Sequence, residues 1–457
     1  MGSIRQSFSK AAKESRSLFI QTFGCQMNEY ESLRVERLLG LHGFVPASEM
    51  ADADVIFLNT CSVREKAEQK VYSFLGRLRP LKVRNPGLKI VVAGCVAQQL
   101  GKELLRRFDF LDLVVGTRGI PSVGDLVERL YEGDERSAYL PEAEDEESWG
   151  ELFHHAAALE SEVAAPVTIM QGCDNFCTYC IVPYVRGRER SRSAEEIIRE
   201  IRLLEAGGAK EILLLGQNVN SYGNGLGQKI SFPSLLRRIQ AETSIRRLRF
   251  TTSHPKDLTD ELIQCLAELP VLCAHLHLPF QAGSDRILEC MNRGYTAARY
   301  MERIEKLRAV CPDIGLSSDV MVGFPGETEE DFRATLHLME EVRFDNLFSF
   351  RYSDRPPAES VNYPGKVPNE IKARRLIELQ SVQAEITLQK NLSEVGSVRE
   401  VLVEGPSKTG QGKLAGRTQQ NRIVNFAGTE ELIGRIVPVE IDAAFSHSLK
   451  GKAVVDY

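Results

Sequence analysis

Short apolar runs alternate with helical patterns along most of this chain. That alternation restricts the fold more than any other feature, because strands spaced by helices make βαβ units and a parallel sheet. The first series has runs at Leu18–Phe23, Asp54–Asn59 and Lys89–Ala93, with helical patterns over Gln26–Leu41, Val63–Leu81 and Ala97–Phe108. A longer series has six candidate strands: Pro166–Gln171, Glu211–Gly216, Leu248–Thr252, Ala274–Pro279, Gly315–Val322 and Asn346–Tyr352. Ser193-Ala-Glu-Glu196 has capping-box spacing and opens one intervening helix, which Gly207-Gly208 closes, and Thr328 with Asp331 opens another. Six such units predict a barrel-like sheet, closed or partial. A helix-rich stretch from about Asn369 to Leu392 follows. Beyond it, short Val/Ile-rich runs such as Val398–Val403 and Ile436–Ile441, punctuated by glycine, predict a small all-β module.

The two series are separated by an acidic stretch without helical or strand periodicity. Residues 132–162 hold eleven acids and one base, Arg136, a net −10 within a formal total of −6, so the other residues sum to +4. The total therefore says nothing against nucleic acid as a partner. The expected organisation is an α/β domain over 17–135, an acidic linker over 136–165, a barrel over 166–392 and a β-module over 393–457. No apolar run approaches the ~18 residues of a membrane span. The first residues have no apolar core suited to a secretory signal. A cytoplasmic location is expected, with cysteines reduced, liganded or catalytic rather than paired.

Six of the ten cysteines form two trios. Cys173-Asp-Asn-Phe-Cys177-Thr-Tyr-Cys180 places three thiols in a loop after a candidate strand. Zinc would want a fourth ligand that this segment lacks at the usual spacing. An iron–sulfur cluster on three thiolates fits better and leaves one iron open. Cys25, Cys61 and Cys95 are far apart in sequence, yet each follows the carboxyl end of a candidate strand. In an open parallel sheet those ends share one edge, where ligands bind. Three convergent ligands and three core cysteines both suit that placement. Cys265, Cys273, Cys290 and Cys311 lack it and read as packing residues.

The spacing C-x3-C-x2-C, with Tyr179 just before the last cysteine, resembles the radical S-adenosylmethionine (SAM) superfamily. Together with Gly24-Cys25-Gln-Met-Asn, Asn59-Thr-Cys61-Ser-Val-Arg-Glu and Gly94-Cys95, nearly the whole chain after residue 17 resembles the methylthiotransferases. The resemblance implies a partial (β/α)6 TIM-like radical SAM barrel and a TRAM RNA-binding domain, a small antiparallel β-barrel, at the carboxyl end. It implies two 4Fe–4S clusters, one on each trio, with SAM chelating the open iron and cleaved to a 5′-deoxyadenosyl radical. It further implies two uses of SAM: one molecule methylates a sulfur at the auxiliary cluster, and a second gives the radical that activates the target carbon. Three subclasses differ in substrate: isopentenyladenosine in tRNA, threonylcarbamoyladenosine in tRNA, and an aspartate of a ribosomal protein. Gly416-Arg417-Thr-Gln-Gln-Asn421-Arg422-Ile-Val-Asn425-Phe426, Thr251-Thr-Ser253-His254-Pro255 and His275-Leu-His277-Leu-Pro-Phe-Gln281-Ala-Gly-Ser284 look most like the first subclass. One departure is Arg355-Pro356-Pro357-Ala358, where the family often reads Arg-Pro-Gly-Thr-Pro-Ala.

By analogy, Tyr179 packs near the adenine of SAM, and Gly216, Gln217 and Asn218 approach its amino group. Gln281 and Ser284 are candidates for its ribose and carboxylate, and Val322 and Gly323 lie near the adenine. Arg186, Arg188, Glu189, Arg190 and Arg192 either line this site or form a solvated face. Three basic clusters suit a folded RNA held mainly through phosphates. They are the acid-free run Lys70, Arg77, Arg79, Lys82, Arg84, Lys89 and Lys102; Lys408, Lys413, Arg417 and Arg422 of the β-module; and Arg246, Arg247, Arg249 and Lys256. The partners implied are tRNA bearing isopentenyladenosine in the anticodon loop, an electron donor such as flavodoxin or ferredoxin, and a sulfur source, with the chain acting as a monomer. A non-enzymatic alternative is an RNA-binding or electron-transfer protein that holds its clusters structurally.

Overall fold

The structure, a computed structural model, describes residues 15–62, 65–142, 162–226, 230–408, 410 and 412–454. The first fourteen residues, Val63, and 143–161 of the acidic stretch lie outside the described residues. The described chain forms two compact units, one before and one after residue 155.

The first unit is a six-stranded parallel sheet. Its strands are β1 (Arg16–Thr22), β2 (Phe44–Pro46), β3 (Val55–Thr60), β4 (Lys89–Gly94), β5 (Leu113–Val115) and β6 (Ser137–Tyr139), in the order β2-β1-β3-β4-β5-β6. All six residues of β3 are buried, as expected for a central parallel strand covered on both faces. Gln26–Leu41 is helical as expected, whereas the pattern over Ala97–Phe108 breaks at Gly101 into Cys95–Leu100 and Lys102–Arg107. β2, β5 and β6 have three residues each, too short for a periodic signal. β6 falls within the stretch read as linker, and so does the start of the next strand.

The second unit contains all six expected barrel strands. β7 (Ala164–Thr168), β10 (Glu211–Leu215) and β11 (Arg247–Phe250) form one parallel sheet; β12 (His275–His277), β13 (Gly315–Val322) and β14 (Asn346–Arg351) form another. A parallel bridge from Leu248 to Leu272 joins them. Among the described residues β14 does not pair with β7, so the barrel is partial. The Pro166–Gln171 run splits: after Thr168 the chain forms β8 (Met170–Gln171), which pairs antiparallel with β9 (Arg190–Ser191). Caps form where the spacing placed them. Ser193 accepts from the Glu196 amide, and Thr328 and Asp331 make a reciprocal box, each cap contributing about 1 kcal/mol. The core between strands and outer helices contains stacked Phe280 and Phe344, 5.3 Å between ring centres.

Asn369–Leu392 is one helix. It leads to a closed barrel of β15 (Val398–Pro406), β16 (Lys413–Arg417), β17 (Ile423–Ala427), β18 (Ile436–Ala444) and β19 (Leu449–Ala453), in the order β15-β16-β17-β19-β18. Four seams are antiparallel, and β17 on β19 is parallel. The Arg417–Gln420 segment plugs the amino-terminal end of the partial barrel. Arg249 donates to the Thr418 and Gln419 carbonyls, and Arg247 to those of Arg417 and Glu400. The third basic cluster is thereby corrected: Arg247 and Arg249 are buried in this seam, with Arg249 also paired to Glu211 at 2.7 Å. Only Arg246 and Lys256 of that group are exposed.

Candidate functional site

In the first unit the three strands that precede cysteines, β1, β3 and β4, are neighbours in the sheet and run parallel. Cys61 and Cys95 directly follow β3 and β4, and Cys25 caps the helix after β1. The turn before Cys25 lies against Cys61. A Cβ on Gly24, whose φ is +119°, would stand 2.3 Å from the Cys61 Cβ and 2.9 Å from its sulfur. Gly94 comes equally close to the neighbouring loop, its ideal Cβ 2.5 Å from the Thr60 carbonyl oxygen. Asn28 fastens the loops together by donating to the Phe23 and Thr60 carbonyls, both at 2.9 Å. Asn59 donates in turn to the Asn28 carbonyl at 2.9 Å. Two buried oxygens beside this edge, Asn59 Oδ1 and Ser62 Oγ, have no hydrogen-bond partner among the described residues. Buried polar atoms without partners are rare and point to a bound group or water. Three thiols that follow the carboxyl ends of neighbouring strands, beside such oxygens, fit an iron–sulfur cluster.

In the second unit the Cys173–Cys180 loop leaves β8 and returns through β9, a two-residue ribbon that closes it like a clasp. At its start, Gly172 has φ +81°, and a Cβ there would fall 2.0 Å from the Arg188 carbonyl oxygen. Its amide donates to Gln217 Oε1 at 2.6 Å. The far end is tied to the segment after β12. The Thr178 amide and hydroxyl donate to the Met291 and Cys290 carbonyls, and Asn292 donates to those of Asn175 and Phe176. The thiols sit close together. Burial, reinforced by neighbouring Cys177, pushes the Cys173 thiol up to about 11 and the Cys180 thiol up to about 12. Only thiolates ligate a metal, so a cluster bound here has to displace these protons. No disulfide joins any of the ten cysteines. Among the described residues no three His, Cys, Asp or Glu side chains converge on one metal ion. Thiolates that each bind a different iron of a cluster need not do so.

The residues assigned by analogy to SAM lie at the carboxyl ends of the barrel strands. Gly216 packs on Met170, and Gln217 is engaged by Gly172. Asn218 is buried, with its Nδ2 donating to Asp257 at 2.7 Å and its Oδ1 without a partner among the described residues. Gln281 takes φ +66° and bonds through its backbone to Asp319 and Met321. Ser284 donates to Asp331 at 2.5 Å. Val322 is buried, and the Gly323 amide donates to Glu327 at 2.6 Å. Tyr179 is half-buried, its hydroxyl 3.4 Å from Arg293. Sequence reasoning gives no role to Asn220, Ser253 or His254, which carry further buried polar atoms without partners among the described residues, after β10 and β11. The Ser253-His254-Pro255 motif is the only signal for the latter two, and Asn220 has none. These partnerless atoms at strand ends fit a polar ligand such as SAM.

Arg192 neither lines this site nor faces solvent, because it is buried against Glu200 at 2.7 Å. The basic clusters are also partly spent. Lys82 pairs with Asp112 at 2.8 Å and Arg79 with Asp109 at 3.1 Å. Arg422, expected to face RNA, instead bonds Glu394 and, at 2.7 Å, Asp345 within the unit. Arg417 pairs with Glu404 at 3.0 Å. Lys408 and Lys413 are exposed and, with Ser407 and Glu430, line a recess of about 470 Å³.

Residues 167–339 match the Radical SAM superfamily, 17–116 match Uncharacterized protein family UPF0004, and 392–454 match the TRAM domain. The chain is 65% identical over 444 residues to the tRNA-2-methylthio-N(6)-dimethylallyladenosine synthase of Syntrophobacter fumaroxidans, covering 97% of each chain. It is 49% identical over 445 residues to the protein of that name from Geobacter sulfurreducens, covering 97% of this chain and 98% of the relative. Its fold is similar to the radical S-adenosylmethionine methyltransferase TsrM from Kitasatospora setae, solved with cobalamin and a [4Fe-4S] cluster bound. That likeness has TM-score 0.54 and 15% identity, covering 76% of this chain and 74% of that one. Domain matches, near-complete coverage and high identity place this chain in the tRNA-2-methylthio-N(6)-dimethylallyladenosine synthase family of radical SAM enzymes.

Proposed function

We propose that this chain adds a methylthio group to carbon 2 of N(6)-isopentenyladenosine beside the tRNA anticodon, giving 2-methylthio-N(6)-isopentenyladenosine. The observation that carries this reading is the 65% identity over 444 residues to a relative with that named activity. As a radical SAM enzyme the chain uses SAM and a 4Fe–4S cluster, for which Cys173, Cys177 and Cys180 are the ligands. We assign a second, auxiliary 4Fe–4S cluster to Cys25, Cys61 and Cys95. Bound together, these groups supply what acid–base side chains cannot, a radical able to activate an aromatic carbon–hydrogen bond and a sulfur to place there.

The protein's part is ligation, orientation and exclusion of water. Gln217 ties the Cys173 loop to the end of β10. Asn218, Asn220, Ser253 and His254 offer buried polar atoms to SAM at strand ends. The unclosed side of the barrel, between β14 and β7, suits a macromolecular substrate. Anticodon-loop bases can be splayed from a single strand into such a site. Lys408 and Lys413 of the TRAM barrel contact tRNA phosphates. The chain acts as a cytoplasmic monomer, with electrons from a flavodoxin- or ferredoxin-type donor and sulfur from a separate source. Among the described residues no helix is long and apolar enough to cross a membrane.

Offering cluster-loaded protein three substrates in parallel tests the substrate assignment. They are tRNA with isopentenyladenosine, tRNA with threonylcarbamoyladenosine, and the ribosomal protein with its target aspartate. Product on the first alone supports the reading, and product on either of the others redirects it.

A further inference from the structure

Arg293 follows β12 and its short helix, and only 4% of its surface is exposed. Its Nη1 donates to the Cys177 sulfur and to the Tyr179 hydroxyl, each at 3.4 Å. Its Nη2 donates to the Pro279 carbonyl at 2.8 Å, and its Nε to the Tyr295 hydroxyl at 3.2 Å. Among the described residues no carboxylate faces it. Three other buried arginines of this unit, Arg192, Arg249 and Arg375, each meet a carboxylate at 2.7 Å. Arg247 also lacks one, but spends its guanidinium on two carbonyls of the seam. A buried charge without a counter-charge is costly. Of the groups around Arg293, only the Cys177 sulfur becomes anionic at neutral pH once it binds metal, because the two phenols stay protonated.

We propose that Arg293 is the buried counter-charge of the cluster on Cys173, Cys177 and Cys180, and that its hydrogen bond to the Cys177 sulfur sets how readily that centre accepts an electron. The inference rests on the radical SAM reading of the trio. Net charge, hydrogen bonds to sulfur and solvent exposure govern the potentials of such clusters, and Arg293 acts on the first two together. Reduction by one electron from an external donor adds one negative charge and no proton to a centre already holding three thiolates. A fixed guanidinium beside one sulfur favours the reduced state, so the midpoint potential is higher with Arg293 than without it. Arg293 is a positioning and tuning residue, since it reaches the iron only through Cys177.

The test uses full-length protein carrying Cys25→Ala, Cys61→Ala and Cys95→Ala, so that a single cluster is counted and titrated. Redox titrations followed by electron paramagnetic resonance compare Arg293 with Arg293→Met and Arg293→Lys at equal iron content. The expected result for Arg293→Met is a roughly tenfold loss in the one-electron reduction equilibrium, a midpoint about 59 mV more negative. Arg293→Lys keeps the charge and should recover most of the shift, which a purely structural role would not require. An unchanged midpoint in iron-loaded Arg293→Met overturns the inference. Should that variant hold no iron, pulsed resonance on the reduced parent with ¹⁵N-labelled arginine decides. A nitrogen coupling that disappears in Arg293→Lys supports the proposal, and its absence from the parent overturns it. A parent that binds no iron fails at the reading of the trio itself, which the iron count tells apart from a fault in the Arg293 argument.

Discussion

The Gln217 side chain accepts a hydrogen bond from the Gly172 amide at 2.6 Å, joining the end of β10 to the start of the loop that carries Cys173, Cys177 and Cys180. Removing the acceptor leaves a buried amide unpaired, at a cost of about 1–3 kcal/mol. Gln217→Ala should therefore loosen the loop, seen as faster iron loss to a chelator and a lower melting temperature. Iron retention equal to the parent's would show that the clasp of β8 and β9, with the ties made by Thr178 and Asn292, suffices to fix the loop.

Gly24 bears on the other trio. An alanine there meets Cys61 at 2.3 Å in a backbone conformation that side chains avoid. Gly24→Ala should abolish loading of the N-terminal site, removing about half of the reconstituted iron if each trio holds one such cluster. Cleavage of SAM to 5′-deoxyadenosine should persist. Full iron content would argue that Cys25 does not share a site with Cys61.

Asp331 supports Ser284 from the capping box of the helix after β13. Burial works against its charge, but hydrogen bonds from Ser284, the Thr328 amide and Arg286 outweigh it and hold the carboxyl down at about 2. Because the folded value lies below the unfolded one, the resulting stabilisation is present above pH 4. It is lost as pH falls toward 2, and amounts to about 2 kcal/mol. Asp331→Asn should lower stability near neutrality and flatten its decline between pH 4 and 2, measured by urea denaturation. An identical acid slope would remove Asp331 from this role.

Arg422 and Lys413 should behave oppositely although both are basic residues of the TRAM barrel. Arg422→Ala removes one of two cations from each of the Asp345 and Glu394 carboxylates, leaving Lys390 on the first and Arg399 on the second, and should cost about 1–3 kcal/mol. Lys413→Ala should leave stability within about 0.5 kcal/mol and reduce the salt slope of tRNA binding by about one unit. Melting curves and binding isotherms at several salt concentrations separate the two effects.

How much was legible depended on the length over which a signal repeats. Gly315–Val322 and Asn369–Leu392 form where the pattern placed them, because each signal is long: an eight-residue strand buried on both faces, and 24 residues without Gly or Pro. β2, β5 and β6 were missed because three residues carry no period. For the sites, the strand context of Cys25, Cys61 and Cys95 anticipated their common edge. Pair partners were not legible. Nothing local distinguishes Arg247 in the seam from Arg246 in solvent, and Arg422 finds its carboxylates 77 and 28 residues away. Arg293 likewise meets Cys177 across 116 residues.

In the proposed function, two cysteine trios serve one methylthio transfer to isopentenyladenosine. The most direct measurement is mass spectrometry of nucleosides from isopentenyl-modified tRNA after anaerobic reaction with SAM and reductant. It compares the cluster-loaded parent with the Cys25→Ala, Cys61→Ala, Cys95→Ala protein. The parent should give 2-methylthio-N(6)-isopentenyladenosine, and the triple variant 5′-deoxyadenosine without methylthio product. No methylthio product from the parent, or undiminished product from the variant, would contradict it.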